Sequence, residues 1–578
     1  MNNLEISKIF REISEYLSMD GVPFKPQAYE QAAINIESLT ENLTDVYEAG
    51  GMKALKKIPG VGENIAEKII EYIETGKIKE YEKLKKKMPV DLSALSAVEG
   101  IGPKTIKTLY EKLKIKTVAD LEKATSAGKI AKLPNFGEKT EQNILQSIGF
   151  IKQDSGRVLL GEILPFVQQL VSKMEKIKEV KAVSEAGSAR RRKPTIGDVD
   201  ILVASDNPEK VLGHFVSLPG VMKVWGKGQT KASIRIDAGF DVDLRIVPEK
   251  QFGSALQYFT GSKEHNIALR KIAMNKGFKL NEYGLFPLRG RNKKSVAGKN
   301  EKEIYKALGM RYIEPELREN QGEIEASANG RLPEIIEYDS IKGDLHCHSD
   351  WDGGENSITE MAETAERMGY EYIGISDHTK FLRIENGIDE KQLARQRKEI
   401  DRINLKFKKQ NSKFRIFHGC EANIMADGSI DIKDEALAKL DFVIAGIHSQ
   451  MKMGKSEMTK RIIRAMENRN VDIISHPTGV LLQRREAYEI DFEKILGVAK
   501  KTKTALEINS SPYRMDLKDV NIKKTREAGV KMVVNTDSHK KEQLELMGYG
   551  ISQARRGWAE KKDIINAWPL EKFKKMLK

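Results

Sequence analysis

Seven of the nine histidines in this chain lie between positions 346 and 539, and most of them close a short apolar run. His346 and His348 stand in DLHCHSD, His378 after IGISD, His448 after VIAGI, and His476 after DIIS. His539, with Asp537, follows VVNT, and Glu421 follows FRIFHGC. The runs are rich in β-branched residues and alternate with amphipathic stretches, which predicts repeated βα units of a barrel. The C-terminal ends of barrel strands are where such folds build their sites. His346 and His348 are two residues apart, so an extended strand projects both to one side. Imidazoles and carboxylates with no thiolate requirement point to Zn²⁺, Mn²⁺ or Fe. One buried histidine is ordinary core. Six at strand ends, with Glu421 and Asp537, describe a metal site. His418, just before Glu421, reads as structural. Cys347 lies between two ligands and is expected to point away. Cys347 and Cys420 are too few to staple a chain this long, so both read as small core residues in a reducing compartment.

A second concentration of chemistry lies upstream. Residues 180–250 carry period-two runs, DVDILVA (198–204), SIRIDA (233–238) and FDVDLRIV (240–247), as strands do. Asp198 and Asp200 are two apart and share a face, and Asp243 in a later run completes a triad. Carboxylates on one face repel each other unless a cation lies between them. An oxygen-only set suits Mg²⁺ or Mn²⁺ held together with substrate phosphates. Two such ions would clamp the attacking and leaving oxygens of an in-line displacement. Gly187, Ser188 and the run Arg190, Arg191, Arg192 offer small and basic groups for a triphosphate. D-x-D alone is common on solvated surfaces; GSARRR followed by GDVD is what singles out this segment.

Residues 1–150 read as helices joined by glycine turns. IPGVG (58–62), VEGIG (98–102) and a degraded LPNFG (133–137) precede helix starts that carry Lys68, Lys104 and Lys139. Backbone N–H groups around Gly60, Gly62, Gly100 and Gly102 would face outward at helix N-termini, where phosphate binds readily. Lys104 adds charge beside them. Plain glycine-capped hairpins are the bland alternative; the repetition favours a nucleic-acid backbone. The net charge of +14, from 98 Lys+Arg against 84 Asp+Glu, agrees with a polyanionic partner.

These motifs carry two family resemblances. The segment 187–205, with YFTGSKEHNIALR (258–270) and LNEYGLF (280–286), resembles the palm and thumb of the DNA polymerase X family, which includes polymerase β. The hairpins resemble its helix-hairpin-helix motifs, which grip DNA without reading sequence and whose turns often hold Na⁺ or K⁺. The resemblance implies that Asp198, Asp200 and Asp243 are the catalytic metal-binding carboxylates. It places Gly187, Ser188, Arg191 and Gly197 on the incoming triphosphate. It places Tyr258, Phe259, Gly261, Asn266 and Arg270 on the sugar and base, with Tyr258 and Phe259 rejecting a ribose 2′-OH. Lys68 matches the family's Schiff-base lysine, while Asn64 stands where the neighbouring phosphate-binding lysine is usual. From 342 onward the chain resembles the PHP (polymerase and histidinol phosphatase) phosphoesterases, which implies a distorted (β/α)₇ barrel with up to three ions, Zn²⁺ or Mn²⁺. His346, His348, His378, Glu421, His448, His476, Asp537 and His539 match its ligands. The aspartate usual five residues after the second histidine is Gly353 here, which makes Asp352 the expected ligand and Asp350 the fallback.

The expected layout is a lyase-like, template-binding helical domain at 1–80 and helix-hairpin-helix fingers at 81–150. A polymerase β-like α+β palm at 151–250 and a thumb at 251–316 follow, then a polar linker at 317–341 and the barrel at 342–578. The expected activity is filling of short gaps in base excision repair, on gapped or primer–template DNA with deoxynucleoside triphosphates. The barrel would add a 3′–5′ exonuclease, 3′-phosphatase or abasic-site endonuclease. The alternative is a phosphoesterase whose polymerase half only binds DNA. No apolar run is long enough for a membrane span, so a cytoplasmic monomer is expected.

Overall fold

The computed structural model describes all residues except 1–2, 38–42, 59, 97, 99–100, 134–135, 139, 143, 146–147, 149–156, 238, 290–293 and 576–578. Two compact units result, 1–155 and 156–578.

The first unit is helical throughout its described residues. The helices Asn3–Met19 and Lys25–Glu37 pair through Ile6, Phe10, Ile13, Tyr29, Ala32 and Ile36. The helix Glu63–Thr75 adds Ile65, Ala66 and Ile69 to this core, one turn apart as an amphipathic helix requires. A second core gathers Val98, Ile101, Ile106, Leu109 and Leu121 around the helices Pro103–Leu113 and Val118–Ser126. In each hairpin, apolar residues flanking the glycines are buried, so the turn is pinned from below. Lys139 and Gly100 lie outside the described residues.

In the second unit a five-stranded sheet runs in the order Ala182–Glu185, Val199–Ala204, Asp241–Val247, Lys231–Ile236, Val221–Lys227. Val199–Ala204 and Asp241–Val247 pair in parallel, and the other neighbours are antiparallel. The alternate burial of Val242, Leu244 and Ile246 packs one face against the helix Leu160–Glu175. The other face carries the aspartates. The helices Phe252–Thr260 and Lys263–Asn275 and the hairpin Phe278–Asn281/Gly284–Pro287 follow.

The barrel is built from parallel strands at Gly343–Cys347, Tyr372–Ile375, Arg415–His418 continued by Glu421–Asn423, Ile444–Gly446, Ile473–Ile474, Ala505–Asn509 and Met532–Asn535. The third position is broken at Gly419–Cys420, so its two halves pair with different neighbours. The last strand returns beside the first, where Cys347 bridges Ser538 in parallel. Both cysteines are buried and free.

The stretch 317–341 corrects the expectation of a polar linker. It forms the helix Glu323–Ala328, and Leu317, Ile324, Leu332 and Ile335 join the core of the preceding segment. Its polarity is misleading because two of its charges, Arg318 and Glu323, are paired and buried, while Glu325, Arg331, Glu334, Glu337 and Asp339 face solvent. Arg318 is fully buried against Glu301 at 2.6 Å, and Glu323 lies 2.7 Å from buried His265. Residues 156–578 therefore pack as one body. Met515 of the barrel half enters the core of the five-stranded sheet, and Pro512 packs so tightly on Gly161 that a Cβ there would clash.

Two candidate metal centres and a candidate phosphate-binding hairpin

Asp200 and Asp243 are register partners across the two parallel strands, so their side chains leave the same face side by side. Asp198 joins them, and their oxygens lie within 4.8 Å of one another. At an effective dielectric of about 20, two like charges that close repel by roughly 3 kcal/mol. The structure registers this: burial, then Asp198 and Asp243, push the Asp200 carboxyl up to about 7. Divalent cations between the oxygens would remove that penalty, so the donor set fits them. Asp243 accepts from the Ser233 hydroxyl. Gly187 has φ +60° and sits against Asp200 so closely that any Cβ would strike the carboxylate. Gly197 lies beside the Arg157 guanidinium.

The groups expected on the nucleotide line the same region. Ser188 is part-exposed on the turn Gly187–Arg190. Arg191 is tied by Nε to Glu319 at 3.0 Å and by Nη1 to the Thr260 carbonyl. Gly261, at φ +67°, leaves Arg191 room: a Cβ there would lie 3.3 Å from Nη1. Tyr258 and Phe259 meet edge to face at 5.2 Å, backed by Arg270 and Arg245 respectively. Asn266 is committed to Gln257 and the Tyr258 carbonyl, both at 2.7 Å, which fixes the aromatic pair.

At the barrel mouth Glu421 is central. Its Oε2 lies 3.2 Å from His346 Nε2 and 3.0 Å from His378 Nδ1, and its Oε1 lies 3.3 Å from His448 Nε2 and 3.1 Å from His476 Nε2. Asp537 Oδ1 stands 3.4 Å from His346 Nε2 and 3.5 Å from His348 Nε2. His539 stacks on His348 at 4.0 Å, and these two with His378 form a further donor group. Glu421 Oε2 and the inward nitrogens of His346, His348, His378 and His448 are buried without a hydrogen-bond partner. Buried polar atoms left unpaired are costly, and a divalent metal set would satisfy them together. Burial alone would lower His346, but Glu507, Glu421 and Asp537 outweigh it and raise it well above its ordinary value.

Residues that the strand-end pattern did not reveal hold these rings in place. Glu507 takes His346 Nδ1 at 2.7 Å, and Asn423 takes His448 Nδ1 at 2.8 Å. Such partners fix tautomer and ring direction. Arg514 lies 3.7 Å from Asp537 Oδ2, with a buried Nη1 that makes no hydrogen bond. His418 is bound to Gln396 and stays out of the cluster.

Asp352, the expected ligand, is hydrogen-bonded to the histidine cluster. Its Oδ2 accepts from His348 Nδ1 and the His378 N–H, and its Oδ1 from the Gly354 N–H. Both oxygens thus accept hydrogen bonds at the histidines, and Asp352 also stands with His348 and Asp377 in a group of donors that could hold a metal ion. Gly353 cannot take a side chain without meeting the Glu385 carboxylate, and Asp350 is exposed.

In the helical unit, Gly62 and Gly102 cap the helices Glu63–Thr75 and Pro103–Leu113 without any side-chain cap, and Lys104 is exposed beside the second turn. Gly60 takes φ +74°. A cavity of about 730 Å³ opens at the first turn, lined by Lys25, Tyr29, Lys56, Lys57, Asn64 and Glu80, among others. Lys68 is not free there, since its Nζ pairs with Glu80 at 2.7 Å.

Comparison with known proteins agrees with this division. Residues 1–78 match the helix-hairpin-helix domain, 92–149 the SAM-like helix-hairpin-helix tandem, 255–319 the DNA polymerase beta thumb and 344–511 the PHP domain. The chain is 37% identical over 581 aligned residues to a DNA polymerase/3′-5′ exonuclease of Bacillus subtilis, covering 100% of both chains. It is 27% identical to rat DNA polymerase lambda over 55% of this chain and 56% of that protein. It is 31% identical to a probable phosphatase of Caldicellulosiruptor bescii over 35% of this chain and 81% of that one.

Proposed function

Because the chain belongs to the family X DNA polymerases with a C-terminal PHP domain, we propose that it fills short gaps in DNA during repair and trims 3′ ends in the same molecule. It is a DNA polymerase and a metal-dependent 3′–5′ exonuclease. The observation that carries the polymerase reading is the pairing of Asp200 with Asp243 beside Asp198 and the Gly187 turn.

Asp198, Asp200 and Asp243 would hold Mg²⁺ or Mn²⁺, which supplies charge neutralisation for an in-line attack of the primer 3′-oxygen on the α-phosphate. Arg191, with the small residues Gly187, Ser188 and Gly197, would receive the triphosphate. The Tyr258–Phe259 pair, braced by Asn266, gives a wall that a 2′-hydroxyl meets and a 2′-hydrogen clears. The helix starts at Gly62 and Gly102 would follow the phosphate backbone, which needs no base contacts. The His346–His539 set with Glu421 and Asp537 would hold Zn²⁺ or Mn²⁺, which supplies a polarised water and neutralises the phosphodiester. Glu507, Asn423 and Asp352 keep the rings aimed, and Arg514 adds a fixed cation beside Asp537.

The test is labelled one-nucleotide-gapped DNA with Mg²⁺ or Mn²⁺. With nucleotides the primer is expected to lengthen until the gap is filled. Without them it is expected to shorten from its 3′ end. Shortening with no incorporation would reduce the polymerase half to a DNA-binding module.

A further inference from the structure

The turn that carries Gly187 and Ser188 is held from behind by the barrel half. Arg556 ends the barrel helix Met547–Arg556, and its side chain is 2% exposed. Its Nη1 donates to the Arg191 carbonyl at 2.7 Å and to Glu319 Oε1 at 3.1 Å, and its Nη2 pairs with Asp519. Gln553 on the same helix donates to the Arg192 carbonyl at 3.3 Å. The same Glu319 oxygen also accepts from Arg191 Nε at 3.0 Å, and Lys193 approaches its other oxygen at 3.3 Å. One buried carboxylate thus stands between the arginine read as a triphosphate contact and an arginine of the nuclease half.

We infer that Arg556 is a positioning residue of the polymerase site, setting nucleotide affinity through Glu319 and Arg191. With Arg556 in place, the charge of Glu319 is divided among three cations, and the Arg191 backbone is fixed by a charged donor. Without it, Glu319 turns its charge onto Arg191 and the carbonyl behind that residue loses its partner. Arg191 then presents less net charge, from a looser backbone, to an incoming triphosphate. The loss falls on nucleotide binding, because Arg556 approaches none of the three aspartates that would hold the reacting groups. Through this carboxylate the nuclease half becomes a working part of the polymerase site. The inference rests on the assignment of Arg191 to the triphosphate.

The experiment is single-nucleotide insertion on gapped DNA with the full-length protein. Arg556→Gln is expected to raise KM for the nucleotide about tenfold, within the usual range for coupling between sites, with kcat little changed. Exonuclease activity, which does not use Arg556, reports an intact barrel. In a Glu319→Gln background the Arg556→Gln change is expected to raise KM by clearly less than in the wild type, because only the contact with the Arg191 carbonyl is left to lose, a non-additivity that general loosening of the fold would not produce. An unchanged KM in Arg556→Gln, or equal effects in both backgrounds, overturns the inference. Arg191→Gln separates the two readings: if it leaves KM unchanged, the assignment of Arg191 itself fails. If it raises KM while Arg556→Gln does not, only the role of Arg556 fails.

Discussion

His348 is held from behind by Asp352: its Nδ1 lies 2.7 Å from Asp352 Oδ2, while its Nε2 faces Asp537 Oδ1 at 3.5 Å. A histidine can offer only one nitrogen inward when the other donates to a carboxylate, so this contact fixes which face of His348 meets a metal. Removing a partner of this kind usually costs about 10–100-fold in metal affinity. Asp352→Ala is therefore expected to weaken metal binding by that order but to reach the wild-type ion count at saturating metal. Mass spectrometry of the metal-loaded protein checks it. A whole ion missing at saturation would make Asp352 a ligand after all.

The two centres draw on different side chains and are expected to separate by mutation. Asp200→Ala removes a carboxylate from the centre of the three-aspartate group. Incorporation is expected to fall by several orders of magnitude, because positioned charge dominates such displacements. Trimming of 3′ ends is expected to persist. The double change His346→Ala, His348→Ala is expected to do the reverse. Loss of trimming in a folded Asp200→Ala protein would refute two independent sites.

Lys68 is engaged before any substrate arrives. Its side chain is 15% exposed and its ammonium is paired with Glu80, which also accepts from the Tyr29 hydroxyl at 3.1 Å. Imine formation with a 5′-deoxyribose phosphate needs Nζ to leave Glu80 and reach the sugar carbonyl, so the contact opposes it. Borohydride trapping on an incised abasic site is expected to be weak in the wild type, several-fold stronger in Glu80→Gln and absent in Lys68→Ala. Strong trapping that survives Lys68→Ala would assign the chemistry to another amine.

That the barrel-mouth histidines, Glu421 and Asp537 come together was legible in the sequence because each terminates a short apolar run: a strand end is a place that pattern reading can locate. Asp198, Asp200 and Asp243 were legible for the same reason, two residues on one face and a third in a paired strand. Glu507 and Asn423 were not, because a polar residue inside an apolar strand has no periodic signature. Only its partner, 161 residues away in the case of Glu507 and His346, explains it. The stretch 317–341 misled for a related reason. Arg318 and Glu323 looked solvated, and what buries them is Glu301 and His265, 17 and 58 residues away.

That buried charge has a pH signature. Glu301 lies under Arg318 at 2.6 Å and Arg190 at 2.7 Å. Burial by itself would raise its carboxyl, but the two guanidiniums outweigh burial and hold it at about 2, against 4.5 ordinarily. A carboxyl depressed in the folded state stabilises the fold fully above its unfolded value. That contribution is lost as pH falls from about 4.5 through about 2. At 1.36 kcal/mol per pKa unit it amounts to roughly 3 kcal/mol at neutral pH. Glu301→Gln removes it and strands Arg318 in the interior, where an uncompensated buried charge costs about 3–5 kcal/mol. The variant is therefore expected to unfold at markedly lower denaturant than wild type at pH 7. Between pH 4.5 and 2.5 the wild type loses the Glu301 contribution and the variant has none to lose, so the gap between them is expected to narrow. Other acid-titrating groups are shared by both proteins and cancel in the difference. Urea titrations of the pair at several pH values measure it, and a gap that stays constant down to pH 2.5 would mean that Glu301 is not held ionised by Arg318 and Arg190.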